Sequence, residues 1–220
     1  MRRAATTTFA FAVALMPALV CGCLGPGPGV LFDPARDRGA EPQPVLHRPR
    51  AAGVPGQWRT TAREHKWRYV VIHHSATEVG SAARFDRHHR ARIDHVNGLG
   101  YHFVIGNGSD TLDGQVETGH RWKRQIRGAH CGNDFYNAHG IGICLVGNFQ
   151  HHAPSRKQMA AVEKLIRYLQ LRYDIPTNAV IGHRHIKNTL CPGRYFPYRS
   201  LLASLNGSDR LAGSPVELGK

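Results

Sequence analysis

The sequence predicts an α/β fold in which a central mixed β-sheet is flanked by helices. Short β-branched segments alternate along the chain with segments of helical periodicity, an order typical of a sheet covered by helices. The strand predicted at 141–146, Ile-Gly-Ile-Cys-Leu-Val, is apolar on both faces, which favours a central position in the sheet. The domain predicted at 61–205 has about 145 residues, a usual size for one folded unit.

Three further strands are predicted around that central one. The first is Tyr-Val-Val-Ile at 69–72, and the second is Tyr-His-Phe-Val-Ile at 101–105. The second strand ends at Gly-Asn-Gly, 106–108, a cluster that favours a turn. The last, Ala-Val-Ile at 179–181, leads directly into Gly-His at 182–183.

Two helices have clear start signals. Ser81 is expected to cap a helix that reaches about Asp94. Ser155 and Gln158 have the spacing of a capping box, which predicts the start of the clearest helix. That helix carries an apolar stripe at helical spacing, which we assign to the core: Met159, Val162, Leu165, Ile166 and Leu169.

The N-terminus predicts export from the cytoplasm to the cell envelope. Residues 1–23 begin with the cationic Met-Arg-Arg and continue into an apolar run at 9–20, the layout of a secretory signal peptide. That run is too short to favour a membrane span. It ends in Val-Cys-Gly-Cys, which resembles a bacterial lipoprotein processing site. Cys23 would then be lipidated and hold the protein at a membrane, whereas simple cleavage and secretion is the alternative.

Two polar segments are expected to flank the domain. Residues 24–60 are rich in Pro, Gly and Arg without an apolar period, a composition that predicts an extended linker. Residues 206–220 are polar and rich in small side chains, which predicts a disordered tail. The domain is expected to be a monomer.

The charge of the chain favours anionic partners without choosing among them. The chain has 29 Lys and Arg against 15 Asp and Glu, a formal net charge of +14. Such a field attracts nucleic acid, anionic lipid and acidic wall polymer alike. The sequence has none of the zinc-finger, RNA-recognition or basic-zipper patterns, and its basic residues are scattered, so a nucleic-acid partner is not expected.

The stretch GHRHIKNTLCPG at 182–193 suggests part of a metal site. His183 and Cys191 provide a nitrogen and a sulfur donor, and a third donor must come from elsewhere. His73 and His74 directly follow the strand at 69–72. Because side chains alternate between the faces of a strand, only one of these two histidines can face the site. Two imidazoles and one thiolate would leave a fourth position for water, the ligand count of a catalytic zinc ion.

Two more cysteines lie in the body of the protein. An exported protein meets an oxidising environment, in which Cys131 and Cys144 are candidates for a disulfide. Cys144 lies within an apolar run, however, so a buried unpaired thiol is equally compatible with the sequence.

Four segments together resemble a known family. VIHHSAT at 71–77, GLGYHFVI at 98–105, GIGICLVGNF at 140–149 and GHRHIKNTLCPG at 182–193 resemble the zinc-dependent type 2 N-acetylmuramoyl-L-alanine amidases. That family includes phage lysozyme-amidases and peptidoglycan recognition proteins. The resemblance extends over roughly residues 66–198, and several motifs in the right order are far more specific than one.

The resemblance implies a site and an activity. Zinc would be held by His73, His183 and Cys191, which favours His73 over His74. Tyr101 and Thr189 match family positions beside the metal. The implied reaction is hydrolysis of the amide between N-acetylmuramic acid and L-alanine in peptidoglycan or muropeptides. The alternative is a recognition module that binds peptidoglycan without catalysis.

Further residues enter through the same resemblance. His130 and Asn133, in GAHCGN, resemble a loop that lines the substrate groove, and Trp122 is a candidate for stacking on sugar or peptide. For each of the three, a purely structural role is the alternative. Some relatives have a catalytic Glu where this chain has Cys144. Without it, we expect zinc to activate the attacking water. The Tyr101 hydroxyl would stabilise the oxyanion, and Thr189 would position water or substrate.

Overall fold

A five-stranded mixed sheet forms the centre of the protein, as the sequence predicts. The computed structural model describes residues 55–91 and 97–212. The strands are β1 (Tyr69–His74), β2 (Phe103–Ile105), β3 (Val116–Thr118), β4 (Gly140–Leu145) and β5 (Val180–Gly182). Their order in the sheet is β3-β2-β4-β1-β5, so the strand predicted to be central lies in the middle. Within this sheet β3 runs antiparallel to its neighbour, whereas β1, β2, β4 and β5 pair in parallel.

Five helices accompany the sheet in the described part of the chain. They are α1 (Ala82–Arg90), α2 (His120–Arg124), α3 (Asp134–His139), α4 (Arg156–Tyr173) and α5 (Tyr198–Ala212). The predicted helix starts are confirmed. The Ser81 hydroxyl accepts a hydrogen bond from the Arg84 N–H, and Ser155 and Gln158 form the capping box of α4. Among the residues that the structure describes, no helix combines the length and apolar character of a membrane span.

The two faces of β4 differ in size and chemistry. Ile141, Ile143 and Leu145 face the main core, where the stripe of α4 packs against them. The alternate positions, Gly140, Gly142 and Cys144, face the other side, where side chains from β1 and α1 lie. The sheet therefore has one thick apolar face and one face with room for polar side chains.

The folded region extends beyond the predicted domain limits at both ends. Trp58, within the predicted linker 24–60, is buried in the main core, and its carbonyl accepts a hydrogen bond from the Trp122 indole N–H. Helix α5 continues to Ala212, into the predicted tail 206–220. The linker and tail limits need correction here, because a buried indole and helical periodicity outweigh polar composition. The predicted signal peptide 1–23, including Cys23, lies outside the described residues.

We predict that the Gly142→Ala variant is destabilised by about 1–3 kcal/mol, the usual cost of overpacking. A methyl group at Gly142 would lie 2.4 Å from the Cδ2 atom of the His130 ring. Chemical denaturation would measure the loss. Gly56→Ala is the matched control, since no atom lies within 4 Å of its added Cβ. Equal stability of the two variants would contradict the packing argument.

Candidate metal centre

Three side chains from separate segments converge at the carboxyl end of the parallel strands. The ligand atoms of His73, His183 and Cys191 all lie within 4.8 Å of one another. The Cys191 Sγ atom is 3.7 Å from His73 Nδ1. Zinc bonds of about 2.05 Å to nitrogen and 2.3 Å to sulfur, at a tetrahedral angle, separate the two donors by about 3.6 Å. The separation in the structure therefore suits a shared zinc ion.

Strand pairing brings the two histidines together. β1 and β5 pair in parallel with Ile72 opposite Gly182, so His73 and His183 follow at the same edge of the sheet. Cys191 returns to this edge because its carbonyl accepts a hydrogen bond from the Arg184 N–H at 2.8 Å. The backbone N–H of residue 74 also points at the Cys191 sulfur, 3.4 Å away. The cluster therefore results from the register of the sheet and from the loop at 184–191, whose two ends are joined by a backbone hydrogen bond.

The two adjacent histidines of β1 face opposite sides, as the alternation of a strand requires. His73 faces the cluster and is 1% exposed. His74 faces the main core, where its Nδ1 atom accepts a hydrogen bond from the Phe149 N–H at 3.1 Å. The strand pattern left the choice between them open, and the structure places only His73 with the other two donors.

Burial sets the protonation of the donors. It lowers the pKa of His73 well below the usual range and lowers that of His183, so both imidazoles are neutral near pH 7. It raises the pKa of the Cys191 thiol to about 12. A metal ion that binds here must displace the thiol proton, as thiolate ligation generally requires.

A groove of about 410 Å³ opens beside the cluster. Tyr101 lines it, with its ring centroid 5.3 Å from that of His73. Burial raises the pKa of Tyr101 well above its usual range, so its hydroxyl stays protonated and able to donate. The other residues that line the groove are Ser75, Thr77, Phe85, His88, His89, Ala129, His130 and His183.

The remaining predicted site residues lie at different distances from this centre. His130 is at the groove, and its Nδ1 atom is 3.0 Å from His73 Nε2. Thr189 is half-buried in the loop before Cys191, and its hydroxyl accepts a hydrogen bond from that cysteine's N–H at 3.3 Å. Asn133 caps α3 by accepting a hydrogen bond from the N–H of Tyr136. Asn133 is thus engaged in the fold.

Trp122 does not take part in this site: of the two roles that the sequence left open, the structural one is found, and stacking on substrate is ruled out. Its side chain is fully buried in the main core. The indole lies 4.7 Å from the Phe103 ring, and its N–H donates to the backbone carbonyl of residue 58. From the sequence alone, core packing explains this tryptophan as well as sugar stacking does.

Sequence reasoning missed Asn137 and the role of the glycines in β4. The Asn137 carboxamide oxygen accepts hydrogen bonds from the N–H groups of His130 and Cys131, which holds the loop beside the cluster. Gly142 leaves space for the His130 ring. The spacing Gly-x-Gly-x-Cys at 140–144 was the available signal, because small residues at alternate positions of a central strand imply a close neighbour on that face.

The described cysteines are free thiols. Cys131, Cys144 and Cys191 are all buried and unpaired. Of the two alternatives for Cys144, the buried thiol is the one found. It lies beside the Tyr101 hydroxyl on the site face of β4, and burial raises its pKa well above the usual value.

Comparison with known proteins identifies the family. Residues 63–194 match the family model Amidase_2, described as N-acetylmuramoyl-L-alanine amidase. The chain belongs to this family. The match covers the cluster, the groove and all five strands.

Similar proteins include both amidases and recognition proteins. A peptidoglycan-recognition protein of Drosophila simulans is 34% identical over 139 residues, which are 58% of this chain and 69% of that protein. Among solved structures, the N-acetylmuramoyl-L-alanine amidase LysC from Clostridium intestinale has a TM-score of 0.56 at 30% identity, covering 64% of this chain and 86% of that one. Bumblebee PGRP-SA has a TM-score of 0.50 at 29% identity, covering 61% and 80%.

The donor set of this Amidase_2 chain fits zinc. Two neutral imidazoles and one cysteine have donor atoms within 4.8 Å of one another, the His73–Cys191 pair lies at a separation that zinc bonds can span, and the set is next to a solvent groove. Three protein donors with an open position are the usual set of a catalytic zinc site.

We predict that the metal-free protein loses stability as the pH falls. The folded-state pKa of His130 is about 3 and that of His74 about 4, both lowered chiefly by burial from an unfolded value near 6.5. The unfolded chain therefore binds more protons below pH 6.5. The free energy of unfolding should fall by at least about 1.4 kcal/mol per pH unit between about pH 6 and 4. A flat profile in urea denaturation over this range would contradict the burial argument.

Proposed function

We propose that this protein is a zinc-dependent amidase of the cell envelope. Its substrate would be peptidoglycan or muropeptides, and the bond cleaved would be the amide between N-acetylmuramic acid and L-alanine. The observation that carries the proposal is the complete set of three donors beside an open groove. Family membership and the similarity to LysC support the choice of reaction.

Zinc is the cofactor in this proposal, held by His73, His183 and Cys191. When bound, it supplies a Lewis acid that polarises a carbonyl oxygen and lowers the pKa of water. The backbone N–H that points at the Cys191 sulfur stabilises the thiolate form of this ligand. This hydrogen bond also holds the Cys191 sulfur in place in the metal-free protein.

Tyr101 is the residue assigned to the oxyanion. Tyr101 lines the groove beside the cluster and its hydroxyl is protonated, so we assign it to donate a hydrogen bond to the carbonyl oxygen as negative charge develops there. Thr189 is assigned to position water or substrate next to Cys191. Among the described residues that line the groove, none carries a carboxylate. Proton transfer to the departing amine would therefore involve imidazole or solvent.

The non-catalytic alternative is a recognition module that binds peptidoglycan. The similarity to the Drosophila simulans recognition protein favours it. The intact donor set argues for catalysis, because a binding module has no need for three converging donors with an open position. Measured turnover on purified wall would decide between the two.

Export and anchoring belong to the same proposal. A signal peptide at 1–23 with lipidation of Cys23 would place the domain at a membrane facing the wall. The net charge of +14 suits an anionic wall surface. Mass spectrometry of the protein from a bacterial host would show an acylated Cys23 or simple cleavage.

We predict that His183→Ala abolishes both zinc binding and amidase activity. Zinc content is measured by elemental mass spectrometry, and activity is measured as release of stem peptide from purified wall. His185→Ala is the matched control: this exposed histidine lies on the same turn, and the cluster does not include it. Full activity of His183→Ala, or full activity of the native protein after chelation, would sink the zinc proposal.

We predict that Tyr101→Phe lowers turnover on the order of 10²-fold without loss of zinc, the usual effect of removing one oxyanion donor. The ring that packs beside His73 is kept, so the fold should be unaffected. Tyr195→Phe, at a position 47% exposed, is the control. Undiminished turnover in Tyr101→Phe would remove this hydroxyl from the reaction.

A further inference from the structure

The loop at 128–131, Gly-Ala-His-Cys, contacts both imidazoles of the metal cluster. The backbone carbonyl of Cys131 lies 3.1 Å from His183 Nε2. A carbonyl can only accept, so Nε2 of His183 carries the proton. The lone pair of that ring is then on Nδ1.

His130 makes the corresponding contact with the other histidine. Its Nε2 atom lies 3.3 Å from the carbonyl of Gly140, which again can only accept, so Nε2 of His130 carries the proton. In the neutral ring, Nδ1 is then an acceptor. That atom lies 3.0 Å from His73 Nε2, which must donate. The lone pair of His73 is therefore on Nδ1, the atom 3.7 Å from the Cys191 sulfur.

The fold reserves space for the His130 ring. A Cβ added at Gly128 would lie 2.3 Å from the ring, and one added at Gly142 would lie 2.4 Å from it. Asn137 fixes the loop by accepting hydrogen bonds from the backbone N–H groups of His130 and Cys131 at 2.9 and 3.2 Å. The backbone N–H of Ala129 donates to the carbonyl of residue 100. The ring is thus closely packed, and the backbone that carries it is held by hydrogen bonds.

We propose that His130 and the Cys131 carbonyl are positioning groups that hold His73 and His183 in the Nε2–H tautomer, so that both present Nδ1 to the metal. This role differs from the groove-lining role that the sequence suggested for His130. The part of this inference that concerns zinc rests on the proposed function. The tautomers themselves can be measured without metal. Partners of this kind typically affect metal affinity about 10- to 100-fold.

The test compares His130→Phe with His130→Asn. Phenylalanine keeps a ring of similar shape but removes the acceptor, whereas the asparagine carboxamide oxygen restores an acceptor close to the position of Nδ1. Long-range ¹H–¹⁵N spectra of the metal-free proteins report which ring nitrogen of His73 carries the proton. Competition with a chromophoric chelator reports the zinc affinity.

In the native protein we expect the Nε2–H tautomer at both ligands. His130→Phe should lose that preference at His73 and bind zinc about 10- to 100-fold more weakly. His130→Asn should recover most of both properties. His65→Phe is the control, since His65 Nε2 also contacts a backbone carbonyl, 2.7 Å away, outside the metal cluster.

The outcomes separate the two proposals. An Nδ1–H tautomer at either ligand in the native protein overturns the positioning role. This measurement is made on the native protein, so it does not depend on whether a variant folds. Unchanged zinc affinity in His130→Phe also overturns it, while leaving the amidase proposal intact. If the native tautomers are as expected but the protein binds no zinc and releases no peptide, the proposed function fails and the inferred hydrogen-bond order stands.

Discussion

The parallel pairing of β1 with β4 and β5 is the constraint on which the rest of the structure depends. Parallel strands end at the same edge, so residues that directly follow paired positions become neighbours. His73 and His183 meet for this reason, although 110 positions separate them in the numbering. One closed loop then adds the Cys191 sulfur. A shift of β1 by a single residue would bring His74 to the site face and His73 into the core.

The asymmetry of the central strand gives the site its room. On one face, Ile141, Ile143 and Leu145 supply apolar area to the core, which makes the sheet stable. On the other, the glycine at 142 admits a buried imidazole against the backbone. Burial of that imidazole needs both ring nitrogens satisfied, and the structure satisfies both. The same strand therefore supplies apolar area to the core on one face and leaves space for the His130 ring beside the donor cluster on the other.

Sequence reasoning reached the sheet and the central strand from local patterns, and it placed candidate donors at the ends of strands. The choice of His73 over His74 came from the family resemblance. Short elements such as β3 and α2 escaped sequence reasoning, since three to five residues give too little periodicity to detect. The assignment of Trp122 failed for another reason. Aromatic side chains suit cores and sugar surfaces equally, and only the packing against Phe103 distinguishes them. Asn137 was missed because its partners are backbone groups of a loop, which leave no mark on composition.

In the proposed function, Cys144 is the reason that the chemistry is assigned to the three donors and to Tyr101. A carboxylate at that position would face the site from the central strand, opposite His73 in the sheet. The thiol found there is fully buried, its pKa is raised, and it contacts the Tyr101 hydroxyl. The Tyr101 hydroxyl is hydrogen-bonded to this thiol. A protonated thiol is a weak acceptor, so in the proposed reaction a developing oxyanion would compete well for the tyrosine proton.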